Sequence, residues 1–203
     1  DLKEFWHVGR ELPEPRPEFP ENIWPSELPE FQPVLLEFYR QLEDCAMVLL
    51  DALSLYLGQK RESLRKMAEG GNSVLRVIHY PPVPADRHPE SIRAAAHEDI
   101  NLITLLPAAT AKGLQVKDTD GNWVDVPINP SWIIVNTGDM LQEASDFYYP
   151  STAHRVLNPV DADAKKSRLA IPLFLHANDD VIISKKYTAK SYRSERFNEL
   201  GLK

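Results

Sequence analysis

Cysteine is almost missing from this chain: Cys45 is the only one in 203 residues. A single thiol excludes an internal disulfide framework and fits a reducing compartment, so a cytoplasmic location is expected. It sits in an apolar helical pattern and is expected to be a buried core thiol. A basic surplus is missing too. Lys and Arg number 23 against 30 Asp and Glu, for a net charge of −7. Phosphate binding needs a basic face, so nucleic acid is not the expected partner. No run of about 18 apolar residues occurs, which argues against a helical membrane span. These residues hold no signal-peptide pattern, internal repeat or low-complexity segment. An initiating methionine is also lacking, and the chain from Asp1 is expected to be a fragment of a longer polypeptide.

What remains is ordinary for a globular domain: 43% hydrophobic and 26% charged residues. At this length one domain with a sizeable core is expected, spanning 1–203. Seven of the 17 prolines fall in residues 1–33: Pro13, Pro15, Pro17, Pro20, Pro25, Pro29 and Pro33. That density excludes long helices and central strands. Phe5, Trp6, Phe19, Trp24 and Phe31 lie among them, which predicts an extended segment pinned down by aromatics. Residues 34–69 read as helical support. Leu35, Leu36, Tyr39, Leu42, Ala46, Leu49, Leu50, Leu53 and Leu57 recur at steps of three and four, predicting a helix from Pro33 to Leu57 stopped by Gly58. A shorter helix is expected over Lys60 to Ala68.

From Ser73 the texture changes to short β runs. Candidates cover 73–80, 92–97, 99–106, 114–118, 122–127, 131–136, 152–157 and 167–176. The run from Asp118 to Asn122 signals a hairpin. About eight strands at this spacing predict a closed sandwich, barrel or jelly roll. The tail, 177–203, reads as one charged surface helix from Ala189 to Leu200.

The chemistry is expected between His97 and Ala170. With six histidines, a His-x-Asp pair arises by chance about 0.4 times in such a chain, so His97-Glu98-Asp99 alone means little. Geometry strengthens it. At i and i+2 of a strand, His97 and Asp99 would share a face and Glu98 would point away. His154 opens a second strand, expected to face the first across the interior. Two His and one carboxylate form a facial triad that leaves positions open, a pattern of non-haem Fe(II) sites. Structural zinc is usually closed by four N or S ligands.

Arg168 opens the apolar run Leu169 to Leu175. Facing inward, it would want an anion, and its planar fork suits a carboxylate. A structural salt bridge or an outward strand end is the competing reading.

Residues 73–176 resemble the isopenicillin N synthase-like family of Fe(II)- and 2-oxoglutarate-dependent dioxygenases. The match runs through Leu75-Arg-Val-Ile-His-Tyr-Pro-Pro82, His97-Glu-Asp99, Thr104-Leu-Leu106, Gly113-Leu-Gln-Val116, Val135-Asn-Thr-Gly-Asp-Met-Leu141, Ser151-Thr-Ala-His-Arg-Val156 and Arg168-Leu-Ala-Ile-Pro-Leu-Phe-Leu-His176. Asp1 to Arg10 and the tail are similar to bacterial members. The resemblance implies a double-stranded β-helix (jelly roll) with flanking helices, mainly β, with 73–176 as its core. It implies Fe(II) on His97, Asp99 and His154. It implies 2-oxoglutarate held through its distal carboxylate by Arg168 and the Tyr80 hydroxyl, with O2 as the other reactant. Succinate and CO2 would form while a small-molecule substrate is oxidised.

Two positions depart from the family pattern. Ala170 replaces the serine of Arg-x-Ser, and Ile78 stands where an asparagine is frequent. Each lost donor contributes about 1.5–3 kcal/mol to a charged acceptor, roughly tenfold or more in affinity. Three readings compete: a 2-oxoglutarate-dependent oxygenase, an iron oxidase of the same fold without that cosubstrate, and a non-catalytic metal- or ligand-binding β-barrel. The sequence leaves substrate and oligomeric state open.

The remaining polar residues receive plainer readings. His79 should face away from Tyr80, and His176 should be structural. His7 and His88 should be solvated. Arg155 should point off the site toward a carboxylate. Asn136, Gly138 and Asp139 read as turn residues. Trp123 and Trp132 read as core or sheet-face aromatics.

Overall fold

The structure is a computed structural model that describes residues 1–14 and 19–201. Pro15 and Pro17 of the proline-rich segment, and the last two residues of the tail, lie outside the described residues. Strand β1 (Glu4–Gly9) is followed by helices α1 (Phe31–Tyr56) and α2 (Ser63–Ala68). Strands β2 (Val74–Tyr80), β3 (Ala94–His97), β4 (Ile103–Pro107), β5 (Leu114–Lys117), β6 (Trp123–Asp125) and β7 (Ile133–Thr137) come next. Helix α3 (Asp139–Ala144), β8 (His154–Val156), β9 (Arg168–Ala170), β10 (Leu173–Leu175) and α4 (Ala189–Glu199) complete the order.

Helix α1 forms for the expected reason. Leu35, Tyr39, Leu42, Ala46 and Leu50 recur on one face and are buried. That face packs on β10 and β4. Pro33 falls inside the first turn, where its missing N–H costs nothing. Cys45 is only half-buried and packs at the edge of this core. Helix α2 is tied back by Arg65, whose guanidinium meets the buried Asp51 at 2.7 Å.

The strands form two antiparallel sheets. One has the order β1-β2-β10-β4-β7, with β9 also pairing with β2, and the other runs β3-β8-β5-β6. Together they make the double-stranded β-helix expected from the sequence. No helix among the described residues is long and apolar enough to cross a membrane.

Several boundaries differ from expectation. Strand β1 was not among the expected strands, yet all six of its residues pair with β2, Val8 opposite Leu75. It precedes the first proline and occupies a sheet edge. Trp6 and Trp24 both meet Phe31 edge-on, at 6.0 and 6.3 Å. The expected strand 167–176 is two strands, because Pro172 cannot donate and its carbonyl accepts from Arg76 N instead. The expected strand 99–106 begins only at Ile103.

Residues Asp99 to Leu102 are instead held as a loop against α3. Asp139 N and Met140 N donate to the carbonyls of Asp99 and Asn101, at 2.8 and 2.9 Å. This explains Gly138, which is no ordinary turn residue. A Cβ there would lie 2.1 Å from Asn101 Oδ1 and 2.7 Å from the Asp99 carbonyl. Asp139 is buried in the first turn of α3 rather than serving as a turn residue. Replacing Gly138 with Ala should overpack this contact by about 1–3 kcal/mol. The melting temperature should fall by about 2–4 °C per kcal/mol, and an unchanged melting curve would show that the loop is not clamped there.

His176 is structural, as expected. Burial, reinforced by Arg193, pushes its imidazole down to about 4. An unfolded histidine titrates near 6.5, so between those values the unfolded chain binds the extra proton. Its contribution to stability is complete above about pH 6.5 and is lost as pH falls toward 4. Denaturant midpoints should therefore drop from pH 7 to pH 5, and less so in His176→Gln. Equal drops would clear His176 of the effect.

Candidate active site

Three donors converge from three backbone segments. His97 ends β3, His154 begins β8, and Asp99 lies in the loop that leaves β3. Their ligand atoms all lie within 4.8 Å of one another. Asp99 Oδ1 is 3.9 Å from His97 Nε2 and 3.8 Å from His154 Nε2. Two details differ from the sequence reading. Asp99 does not share a strand with His97, since the chain has already left β3. Nor do the histidines face each other across the interior. They are direct partners on neighbouring strands of one sheet, with ring centroids 4.4 Å apart.

Hydrogen bonds aim each donor. Nδ1 of His97 lies 2.7 Å from the Ala95 carbonyl, and Nδ1 of His154 lies 2.9 Å from the Thr152 carbonyl. A carbonyl only accepts, so both rings carry the proton on Nδ1 and leave the Nε2 lone pair free. Burial lowers the His97 pKa, with His154 adding to it, which favours the neutral ring a metal needs. Asp99 is buried, and its Oδ2 accepts from Thr104 Oγ1 at 2.6 Å and from Asn136 Nδ2 at 2.9 Å. Oδ1 is the oxygen left facing the imidazoles. This donor set fits a divalent ion with open positions. Glu98 is exposed and is not part of the cluster. Asn136 was expected to be a turn residue. It lies in β7 and orients Asp99, and no spacing rule in the sequence connects it to that role.

The cluster opens into a cavity of about 360 Å³ between the sheets, which Tyr80 and Arg168 also line. They are direct partners across β2 and β9. Arg168 is buried, with its guanidinium 4.9 Å from the Tyr80 ring centre. Its Nε donates to the Ala111 carbonyl at 3.0 Å, while Nη1 is buried without a partner. The competing reading of Arg168 as a salt-bridge residue fails among the described residues, where no carboxylate pairs with it. A second buried guanidinium went unseen in the sequence. Arg93 lies 5.9 Å from the same tyrosine ring and donates to the Lys166 carbonyl at 2.9 Å, with Nε unpartnered. Its sign in the sequence is an arginine just before the apolar run Ala94-Ala95-Ala96. Burial raises the Tyr80 hydroxyl pKa against the pull of Arg168, so it stays a neutral donor.

Ile78 and Ala170 are opposite one another in the same strand pair, both buried and both lining the cavity. The two departures from the family pattern are therefore one apolar contact.

Residues 71–177 match the 2OG-Fe(II) oxygenase superfamily. The chain belongs to that superfamily. Among its relatives is a "2-oxoglutarate-Fe(II) type oxidoreductase" of Emericella nidulans, 32% identical over 192 residues, covering 89% of this chain and 54% of that protein. An isopenicillin N synthase of Amycolatopsis lactamdurans is 31% identical over 188 residues, covering 88% and 56%. A crystal structure of a 2OG-Fe(II) oxygenase family protein from Caulobacter crescentus superposes with a TM-score of 0.87 at 37% identity, covering 98% of this chain and 70% of that one. The chain thus spans just over half the length of the curated relatives it matches.

The remaining residues sort simply. His79 turns away from Tyr80 and lies 2.6 Å from Glu4. His88 is exposed. His7 is not merely solvated, because its Nε2 accepts from Arg76 Nε at 2.7 Å. Arg155 points off the site, but it donates to Gln115 and stacks 4.2 Å over Trp123 instead of meeting a carboxylate. Trp132 is half exposed and lies just before β7, so it is neither a core nor a sheet-face residue.

Groups that orient a metal ligand typically matter 10–100-fold in metal affinity. Asn136→Ala and Thr104→Val should each weaken Fe(II) or Co(II) binding by about that factor in an anaerobic titration. Unchanged isotherms in both would show that Asp99 needs neither partner.

Proposed function

We propose that this chain is the catalytic core of an Fe(II)- and 2-oxoglutarate-dependent dioxygenase that oxidises a small organic molecule. His97, Asp99 and His154 hold the iron. Arg168 and the Tyr80 hydroxyl hold the distal carboxylate of the keto acid. The observation that carries this reading is Arg168 Nη1, buried without a partner beside Tyr80, in the same cavity as the three metal donors. A buried guanidinium with no anion is costly, and a carboxylate seated there supplies the missing acceptor. When bound, the iron, keto acid and O2 supply the oxidising chemistry, with decarboxylation to succinate and CO2. The protein's residues bind, orient and exclude bulk water. A cavity of about 360 Å³ suits a small molecule. The single, half-buried cysteine supports a cytoplasmic setting.

One observation favours a second reading, an oxidase of the same fold that does not use 2-oxoglutarate. Ile78 and Ala170 place an apolar pair where two donors to the cosubstrate would otherwise stand.

Anaerobic Fe(II) with increasing 2-oxoglutarate distinguishes the two through the visible charge-transfer band of a chelated keto acid. We expect a saturable band that is lost in Asp99→Ala. In Arg168→Ala the affinity should weaken roughly 10- to 100-fold, the value of a hydrogen-bonded charge. Ala170→Ser should tighten binding about tenfold or more. Iron binding with no band at millimolar 2-oxoglutarate would transfer the assignment to the oxidase.

A further inference from the structure

Along β2, Arg76, Ile78 and Tyr80 share the face that lines the cavity. Tyr80 pairs with Arg168 and Ile78 with Ala170, and Arg76 N donates to the Pro172 carbonyl. Four residues of strand separate the Arg76 and Tyr80 backbones by about 13 Å. The sheet therefore offers two cationic ends with an apolar stretch between them.

Arg76 is held like a binding group. Its guanidinium lies between Phe5 and Phe174, 4.8 Å from each ring centre. Its Nε is fixed by His7 Nε2, and His7 stacks on Phe5 at 4.7 Å. Burial, with Arg76 adding to it, pushes His7 down to about 4, which keeps it a neutral acceptor. No carboxylate among the described residues pairs with Arg76. Lys3 lines the same cavity and is offset by Asp1 at 3.0 Å.

Charge balance then isolates Arg76. A divalent ion with Asp99 keeps one positive charge in excess. The two negative charges of the keto acid cancel that excess together with Arg168. Arg93 lies behind Tyr80 and does not line the cavity, so with Lys3 offset by Asp1, Arg76 is the lining cation left without a compensating anion. A partly buried cation in this state favours one more anion.

We propose that Arg76, clamped by Phe5, Phe174 and His7, binds a carboxylate of the molecule to be oxidised, so that the substrates are small organic carboxylic acids. This rests on the oxygenase reading above, because it places 2-oxoglutarate at Arg168. The planar fork, with its stacked faces covered, presents its edge to a planar two-oxygen acceptor.

The test uses octanoate and phenylacetate, each beside its primary amide, with octyl phosphate as a second anion. Each is titrated calorimetrically into the anaerobic Fe(II)-loaded chain at saturating 2-oxoglutarate. At least one acid should bind ten times or more tighter than its amide and tighter than octyl phosphate. Arg76→Gln should erase that preference and Arg76→Lys should keep most of it. If Arg76→Gln does not fold, Phe174→Leu, which opens one side of the clamp, should reduce the preference severalfold. Acids that bind no better than amides, that bind only without 2-oxoglutarate, or that keep their preference in Arg76→Gln would overturn the assignment. So would a tighter octyl phosphate, or no binding by either acid. Loss of the 2-oxoglutarate band is read separately and would count against the oxygenase reading instead.

Discussion

The site depends first on how Asp99 is held. A carboxylate on a loop has many orientations, and a metal ligand needs one. Here Thr104 and Asn136 occupy one oxygen, and the loop's own carbonyls are engaged by the first turn of α3. That close approach is possible because Gly138 has no side chain. The histidines need less support, since pairing in one sheet already sets their spacing. One glycine, one threonine and one asparagine thus convert a loop carboxylate into a fixed donor aimed at the two imidazoles, and each comes from a different strand or turn of the six-stranded sheet.

The second constraint is charge. The chain is acidic overall, yet the cavity is lined by Lys3, Arg76 and Arg168, with Asp99 as its carboxylate. Arg93 adds a buried cation behind Tyr80. Desolvated guanidiniums without anions work against folding, so their retention calls for a ligand-based explanation. Net charge argued against a nucleic-acid partner but carried no information about the interior. Exposed acids dominate the sum, and the local field of the cavity has the opposite sign.

Some of this was legible in the sequence for clear reasons. The α1 pattern recurs over seven turns, and most β runs carry alternating or continuous apolar residues, so tertiary packing had little to override. His97, Asp99 and His154 stand out because few residue types ligate metals. What escaped notice depended on contacts distant in sequence. Strand β1 borrows its stability from β2, about 70 residues later. Asn136 reads as a turn former until its amide is found on Asp99, 37 residues away. His7 reads as a loop residue until Arg76 is placed over it. The expected opposition of His97 and His154 failed because period-two reasoning assigns a face to each strand but not the strand's neighbour.

The two sheets divide the chemistry. The four-stranded sheet carries both histidines, while the six-stranded sheet carries Arg76, Tyr80 and Arg168, and the Asp99 loop joins them. This partition lets one half vary without disturbing the other. The Ile78–Ala170 contact is an instance: both residues are apolar, across one strand pair of the six-stranded sheet, while the His97, Asp99 and His154 cluster is intact. A buried amide or hydroxyl facing an alkyl group there without a bound acceptor would cost about 1–3 kcal/mol. With Ile78 and Ala170 both apolar that penalty does not arise, and an apolar strip lies between Arg76 and Arg168. The same pair gives the cavity floor an apolar middle, suited to a carbon chain lying between the two guanidiniums.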